Sequence, residues 1–259
     1  MNKTDLNITL KRASWLLVLV FSIAIIFSAV ERRESSRVQG MDIHIKALDG
    51  ENSLIKPQDI QLTLERSLGA TIEGFYLNTV DVERLERVLE DDPFIENADV
   101  FVDAKNIVNV NIKQREPILR IIDNNGLNYY LDEDGNKMPL SKHFAARVLV
   151  ATGNIPPHDP GFLERKRHLL KDVFLLANKI REDDFYNALF EQVHISNKGE
   201  LTLIPKIGDQ KIIFGTIDNT DEKLKNLKIF YQEGMPYEGW QKYRTIDVRF
   251  KGQVVCEKR

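Results

Sequence analysis

The side chains of this 259-residue chain best suited to metal or nucleophilic chemistry are five histidines, His44, His143, His158, His168 and His194, and one cysteine, Cys256. No two histidines stand at H-x-x-x-H spacing and there is no Cys-x-x-Cys, so neither common zinc-ligand pattern is present. Asp132, Glu133 and Asp134 suggest a calcium loop, but the spacing is wrong. An EF-hand puts its glycine directly after the third acidic position, whereas Gly135 follows the second, Asp134. Asp and Gly together are instead what a tight turn with positive φ demands. Adjacent acids, Asp91 with Asp92 and Asp183 with Asp184, fall at helix ends, where carboxylates are ordinarily solvated. For glycosidase-type chemistry two carboxylates must converge to roughly 5–9.5 Å, and nothing in the pattern requires it. There is no G-x-S-x-G elbow and no phosphate-cradling glycine loop. No catalytic set, metal site or cofactor is expected.

With no reaction centre to place, the elements themselves carry the reading. The formal charge is −3, and residues 1–30 hold Lys3, Lys11 and Arg12 against Asp5, so the remainder is more acidic still. That sign opposes a nucleic-acid partner. One cysteine permits no internal disulfide and leaves the compartment open.

Residues 13–30, ASWLLVLVFSIAIIFSAV, pass 18 positions without a charge, close to the roughly 20 residues that cross a bilayer at about 1.5 Å each. A cleaved signal peptide fits less well, because its apolar region is usually shorter and cutting after Ala29 would put Phe27 where a small residue is wanted. The expectation is a retained anchor with residues 1–12 in the cytoplasm. Basic residues on the two sides nearly balance, and orientation follows from a short tail staying inside while a large domain is translocated.

After a linker over residues 31–40, residues 41–47 alternate as a half-buried strand. Pro57 opens a helix with Ile60, Leu64 and Leu68 on one face. A second helix carries Val82, Leu85, Val88 and Leu89, with Asn78 or Thr79 as its cap, and Pro93 ends it. Strands over 98–102 and 107–113 complete an order of strand, helix, helix, strand, strand. With the VQG opening and the VNVNIKQREP exit, residues 41–115 resemble a POTRA domain, a binding and positioning module.

Residues 116–259 read as a second domain: 118–122, 127–131 and the runs DEDGNKMPLS and RVLVATG form a sheet of neighbouring strands with tight turns, and strands return at 193–195, 201–203 and 211–214 after a long helix. A long helix presents Leu169, Leu170, Val173, Leu176, Ala177 and Ile180 on one face, preceded by ERKRH. A last helix over 221–232 turns Leu224, Leu227 and Tyr231 inward. The fold class is therefore α+β: an N-terminal transmembrane helix, a small βααββ module, and a mixed β-sheet domain with flanking helices.

In the terminal TIDVRFKGQVVCEKR, Ile246, Val248 and Phe250 alternate onto one face as the inner strand. Gly252 then permits a turn or a bulge, and an apolar run over 253–256 has nothing after it to pair with. On the residues alone this run either finishes the sheet or forms an edge open to a partner. The order of YYLDEDGNKMPLS, VLVATGNIP, KLKNLKIFYQEG and YRTIDVRFKGQVV behind a POTRA-like module resembles the bacterial cell-division family FtsQ/DivIB. The resemblance implies a non-enzymatic, single-pass inner-membrane protein of the division septum with a periplasmic C-terminal part. Its implied partners are small coiled-coil division proteins of the FtsB and FtsL types. It also implies that Phe250, Gly252, Gln253, Val254 and Val255 contribute to accepting a partner strand. The alternative is a POTRA-bearing envelope assembly or secretion factor.

Overall fold

The structure, a computed structural model, describes residue 15, residues 17–23 and residues 36–259. Most of the apolar run 13–30 lies outside the described residues. Among them no helix is long and apolar enough to cross a membrane. The described part divides into two compact units, one containing Ile55–Lys113 with the strand before it, the other made of Ala47–Leu54 and Gln114–Arg259.

The first unit has the expected element order: β1 (Gly40–Lys46), α1 (Pro57–Leu68), α2 (Val82–Glu90), β2 (Ile95–Val102) and β3 (Ile107–Gln114). Its sheet runs β1-β3-β2, with β1 parallel to β3 in the register Ile43↔Val110. Helix α1 starts where Pro57 gives up no useful N–H, and the Asp59 carboxylate accepts from the Lys56 N–H at 3.0 Å. It stops at Gly69, whose φ of 76° is the left-handed cap conformation. The cap of α2 is Asp81, accepting from the Arg84 N–H at 3.0 Å, rather than the expected Asn78 or Thr79. Those two belong to a preceding 3-10 turn, Leu77–Thr79. Such a cap contributes about 1 kcal/mol. Ile60, Leu64, Leu85 and Leu89 are buried against Val108, Val110 and Ile112 of β3. Full burial of a leucine stabilises by about 1.5–3 kcal/mol, so the apolar stripes rather than the caps hold this unit together.

In the second unit the strands are β4 (Pro117–Asp123), β5 (Asn128–Asp132), β6 (Lys137–Met138), β7 (Leu149–Gly153), β8 (Phe190–Ile195), β9 (Leu201–Pro205), β10 (Lys211–Gly215), β11 (Tyr243–Asp247) and β12 (Val255–Lys258). They form one nine-stranded sheet in the order β12-β11-β10-β9-β8-β7-β4-β5-β6. The sheet is mixed and flanked by helices, as expected, but its strands do not lie in chain order. β7 lies parallel to both β4 and β8, and β11 lies parallel to β10. Parallel neighbours require a crossover: β5, β6 and the loop after them lead from β4 to β7, and helices supply the other two. Helix α3 (Leu169–Arg181) and the short α4 (Asp184–Leu189) connect β7 to β8. Helix α5 (Thr220–Ile229), a π turn at Phe230–Gly234 and α6 (Met235–Glu238) connect β10 to β11. The expected faces of α3 and α5 are buried, with Leu170, Val173, Leu176, Ala177 and Ile180 on one and Leu224, Leu227 and Tyr231 on the other stretch, while Leu169 is only partly buried against the same core. They pack on alternate strand residues such as Leu119, Ile121, Ala151, Val193, Leu203, Ile212 and Ile246.

Asp132 is buried, and its carboxylate accepts from the N–H groups of Asp134 (3.0 Å) and Asn136 (2.7 Å) and from Arg115 Nη1 (3.0 Å). The acidic cluster is thus a turn, with Gly135 at φ 82°. Among the described residues no group of His, Cys, Asp or Glu could hold a metal ion.

His168 immediately precedes α3, and its Nδ1 is buried without a hydrogen-bond partner among the described residues. Burial, then the charge of Arg165, lower its pKa against the opposing pull of Asp159 and Asp172. A depressed folded-state pKa means that folding disfavours the protonated ring. The stabilising contribution is complete above the unfolded value of about 6.5 and is lost as pH falls below it. The melting temperature should therefore fall between about pH 7.5 and 5.5. His168→Gln should flatten that dependence, and an unchanged slope in the variant would assign the titration elsewhere.

Candidate functional site

The end of the chain forms a hairpin in which β12 pairs antiparallel with β11, in the register Asp247↔Val255, Ile246↔Cys256 and Thr245↔Glu257. Val248 donates its N–H to Ile213 O at 3.1 Å, toward β10. Period-two alternation therefore turns the amides of Thr245 and Asp247 toward β12. Their partners Glu257 and Val255 face β11 in turn, which leaves the N–H and C=O of Cys256 directed away from the sheet. Among the described residues β12 ends the strand order, so these groups form an open edge.

Inner strand β11 stops at Asp247, earlier than the alternation suggested. Ile246 and Val248 are buried as expected, but Phe250 is 50% exposed, so its place on the buried face is corrected. The cause is local: Arg249 folds back to fork onto Asp247, Nε to Oδ1 at 3.0 Å and Nη2 to Oδ2 at 2.7 Å, turning the chain out of the strand. Burial alone would raise the Asp247 pKa, but the Arg249 hydrogen bonds outweigh it and hold the carboxyl below its usual value. Gly215 makes room for this latch, since a Cβ there would lie 2.9 Å from Arg249 Cδ. The turn itself is a hairpin turn with Gly252 at φ 66°, the Gln253 N–H donating to Phe250 O at 3.3 Å and the Gly252 N–H to Glu222 Oε1 at 3.1 Å. The outer strand begins only at Val255, so the expected apolar run over 253–256 is shifted, and Glu257 and Lys258 belong to the strand. Glu257 binds Arg244 and, at 3.2 Å, Thr245 Oγ1, holding β12 to β11.

Gly252, Gln253 and Val254 line a groove of about 420 Å³ together with Asn226, Ile229 and Phe230 of the preceding helix. Phe250 and Val255, 50% and 45% exposed, are outside that lining. Ile229 and Phe230 escaped the sequence reading, which assigned only the inward residues of that helix. The available signal was an apolar pair left over beside an amphipathic stripe. Phe230 opens the π turn, and its ring lies where a Cβ on Gly234 would be 3.0 Å from it, so this glycine shapes the groove wall. Cys256 packs against the core, and burial raises its thiol pKa, which keeps it protonated and a poor nucleophile.

The other strand edges are less available. On β2 the outward amides of Ala98 and Val100 already donate to Glu90 Oε1 (3.2 Å) and Glu86 Oε1 (2.8 Å) of α2. β1 carries Asp42, His44 and Lys46 along its length, and β6 has two residues. Replacing both glutamates by alanine should uncover β2 and make the chain sediment as a larger species in analytical ultracentrifugation. An unchanged sedimentation coefficient would show that these carboxylates do not protect the edge.

An open strand edge beside a partly apolar groove is geometry suited to strand addition. The family model for FtsQ/DivIB, C-terminal related, matches residues 116–257, and one for a POTRA-like domain matches residues 37–113. The first match covers more than half of the chain, and the chain belongs to this FtsQ/DivIB family of cell-division proteins. No curated protein matches it.

Proposed function

We propose that the chain is a non-enzymatic, membrane-anchored scaffold of the bacterial division septum that accepts a strand from an FtsB-type partner on β12, with an FtsL-type protein joining through that partner. The open edge at Cys256 within the family-matched unit is the observation that carries this reading. Main-chain hydrogen bonds supply affinity in strand addition, and adjoining pockets for side chains supply specificity. The groove lined by Ile229, Phe230 and Val254 fits the second role, and exposed Phe250 and Val255 extend the contact surface.

In this reading residues 1–12 stay in the cytoplasm, 13–30 cross the inner membrane, 31–40 link, and the domains over 41–115 and 116–259 fold in the periplasm. The uncharged run supports the anchor, as do Leu17, Val18, Leu19, Val20 and Phe21, all exposed apolar residues that need cover. A fluorescent protein joined to Met1 should give midcell rings, and alkaline phosphatase joined after Arg259 should be active. A uniform envelope signal would instead favour an assembly or secretion factor, and an inactive phosphatase would contradict the topology.

A further inference from the structure

A second recess in the sheet unit lies away from the β12 edge, at the N-terminal ends of β4 and β7. It is a cavity of about 510 Å³ with an apolar floor that includes Ile118, Leu149, Ala177 and Ile180. That volume is within the range of about 300–1,000 Å³ typical of ligand pockets. One wall is the segment over residues 144–148 that leads into β7. This segment is fixed at both ends: the N–H of His143 donates to Ser141 Oγ at 3.0 Å, and Leu149 enters the sheet opposite Leu119. Between those points, the main-chain N–H and C=O groups of residues 145–148 take part in no hydrogen bond to any described residue. Arg147 lines the same cavity, is exposed, and makes no ion pair with a described residue. The neighbouring Arg181 differs, being held by Glu116 at 3.6 Å and Glu133 at 3.3 Å.

We propose that this recess binds an extended segment of a partner protein, which pairs with the open main chain of residues 145–148, inserts one large apolar side chain and sets a carboxylate against Arg147. Each part of the occupant answers a feature of the wall. Unpaired main-chain groups on a segment held at both ends select another main chain, as in strand addition. A floor of aliphatic side chains selects an apolar residue, and an arginine with no partner selects an acid. Asp49, also on the lining and also without an ion pair to a described residue, disfavours a second acid nearby. The β12 edge plays no part in this site.

The test uses the full-length chain in detergent and fluorescein-labelled hexapeptides, threonine-rich, with one central leucine and either aspartate or lysine two positions later, read by fluorescence anisotropy. The aspartate peptide should bind saturably with Kd below about 1 mM and at least about tenfold more tightly than the lysine peptide. Arg147→Glu should invert that preference, and Ala146→Trp, which crowds the recess, should abolish binding of both while the thermal transition is kept. Cys256→Pro should leave binding unchanged, which separates failure here from failure of the β12 reading. The proposal is overturned if neither peptide saturates or if Arg147→Glu leaves the preference intact. Concentration-dependent self-association that Arg147→Glu removes would likewise overturn it, making the occupant a second copy.

Discussion

Cys256→Pro should weaken binding of the FtsB-type partner by at least about 100-fold while leaving the thermal transition close to that of the parent; Val255→Pro should lose both binding and stability. The difference follows from the direction of two adjacent amides. Val255 pairs with Asp247 and its N–H faces β11, so proline there removes a bond of the protein's own sheet. Cys256 directs its N–H outward, and proline is tolerated in an edge strand when its missing donor faces solvent. Its ring would then occupy the place of an incoming carbonyl. A buried acceptor left unpaired costs about 1–3 kcal/mol, and the ring also keeps the strands apart, so the loss approaches the quoted factor. Equal binding by both variants, measured by calorimetry, would place the partner elsewhere.

Gly153→Ala is expected to destabilise the sheet unit strongly. Gly153 has φ 102°, and a Cβ there would lie 2.2 Å from the main-chain oxygen of Ile195 and 2.9 Å from His194 Cε1. The obstacle is backbone, which cannot swing aside as a side-chain tip can. The site is also where three strands meet: Gly153 is opposite both Asp123 and Ile195, and its own oxygen accepts from the N–H groups of Asn124 (3.1 Å) and Ile155 (3.0 Å). Moving any one strand breaks bonds of the others. Overpacking together with a forbidden φ costs about 3 kcal/mol or more, a fall in melting temperature of roughly 6–12 °C for a domain of this size. A fall under about 2 °C would mean that the β7–β8 junction relaxes without loss.

Periodicity made most elements legible. The four-residue spacing of Ile60, Leu64 and Leu68 and the stripe through Leu85 and Leu89 reflect burial against one sheet, and local sequence records that directly. Pairing is different. β7 follows β6 in the chain but sits beside β4 and β8, because long-range order depends on which crossover helices cover the face, and no local signal encodes that. The helix Asp184–Leu189 has six residues and two buried positions, too short for a period to show. Its capping acid, Asp183, looked like a solvated pair with Asp184. In the structure it accepts from Lys228 Nζ at 2.7 Å, which lowers its pKa, and from the Phe185 N–H. The candidate edge was foreseen in place but not in detail, since the Asp247–Arg249 latch that turns Phe250 outward joins two residues whose alternation otherwise reads as strand.

Hydrogen exchange of the full-length chain in detergent, with and without the periplasmic part of the same organism's FtsB-type protein, tests the central claim most directly. The amides of Val255 and Glu257 face β11 and should be protected in both states, whereas that of Cys256 should exchange freely alone and become protected in the complex. Protection that appears at any other edge, with Cys256 still exchanging freely in the saturated complex, would contradict strand addition at β12.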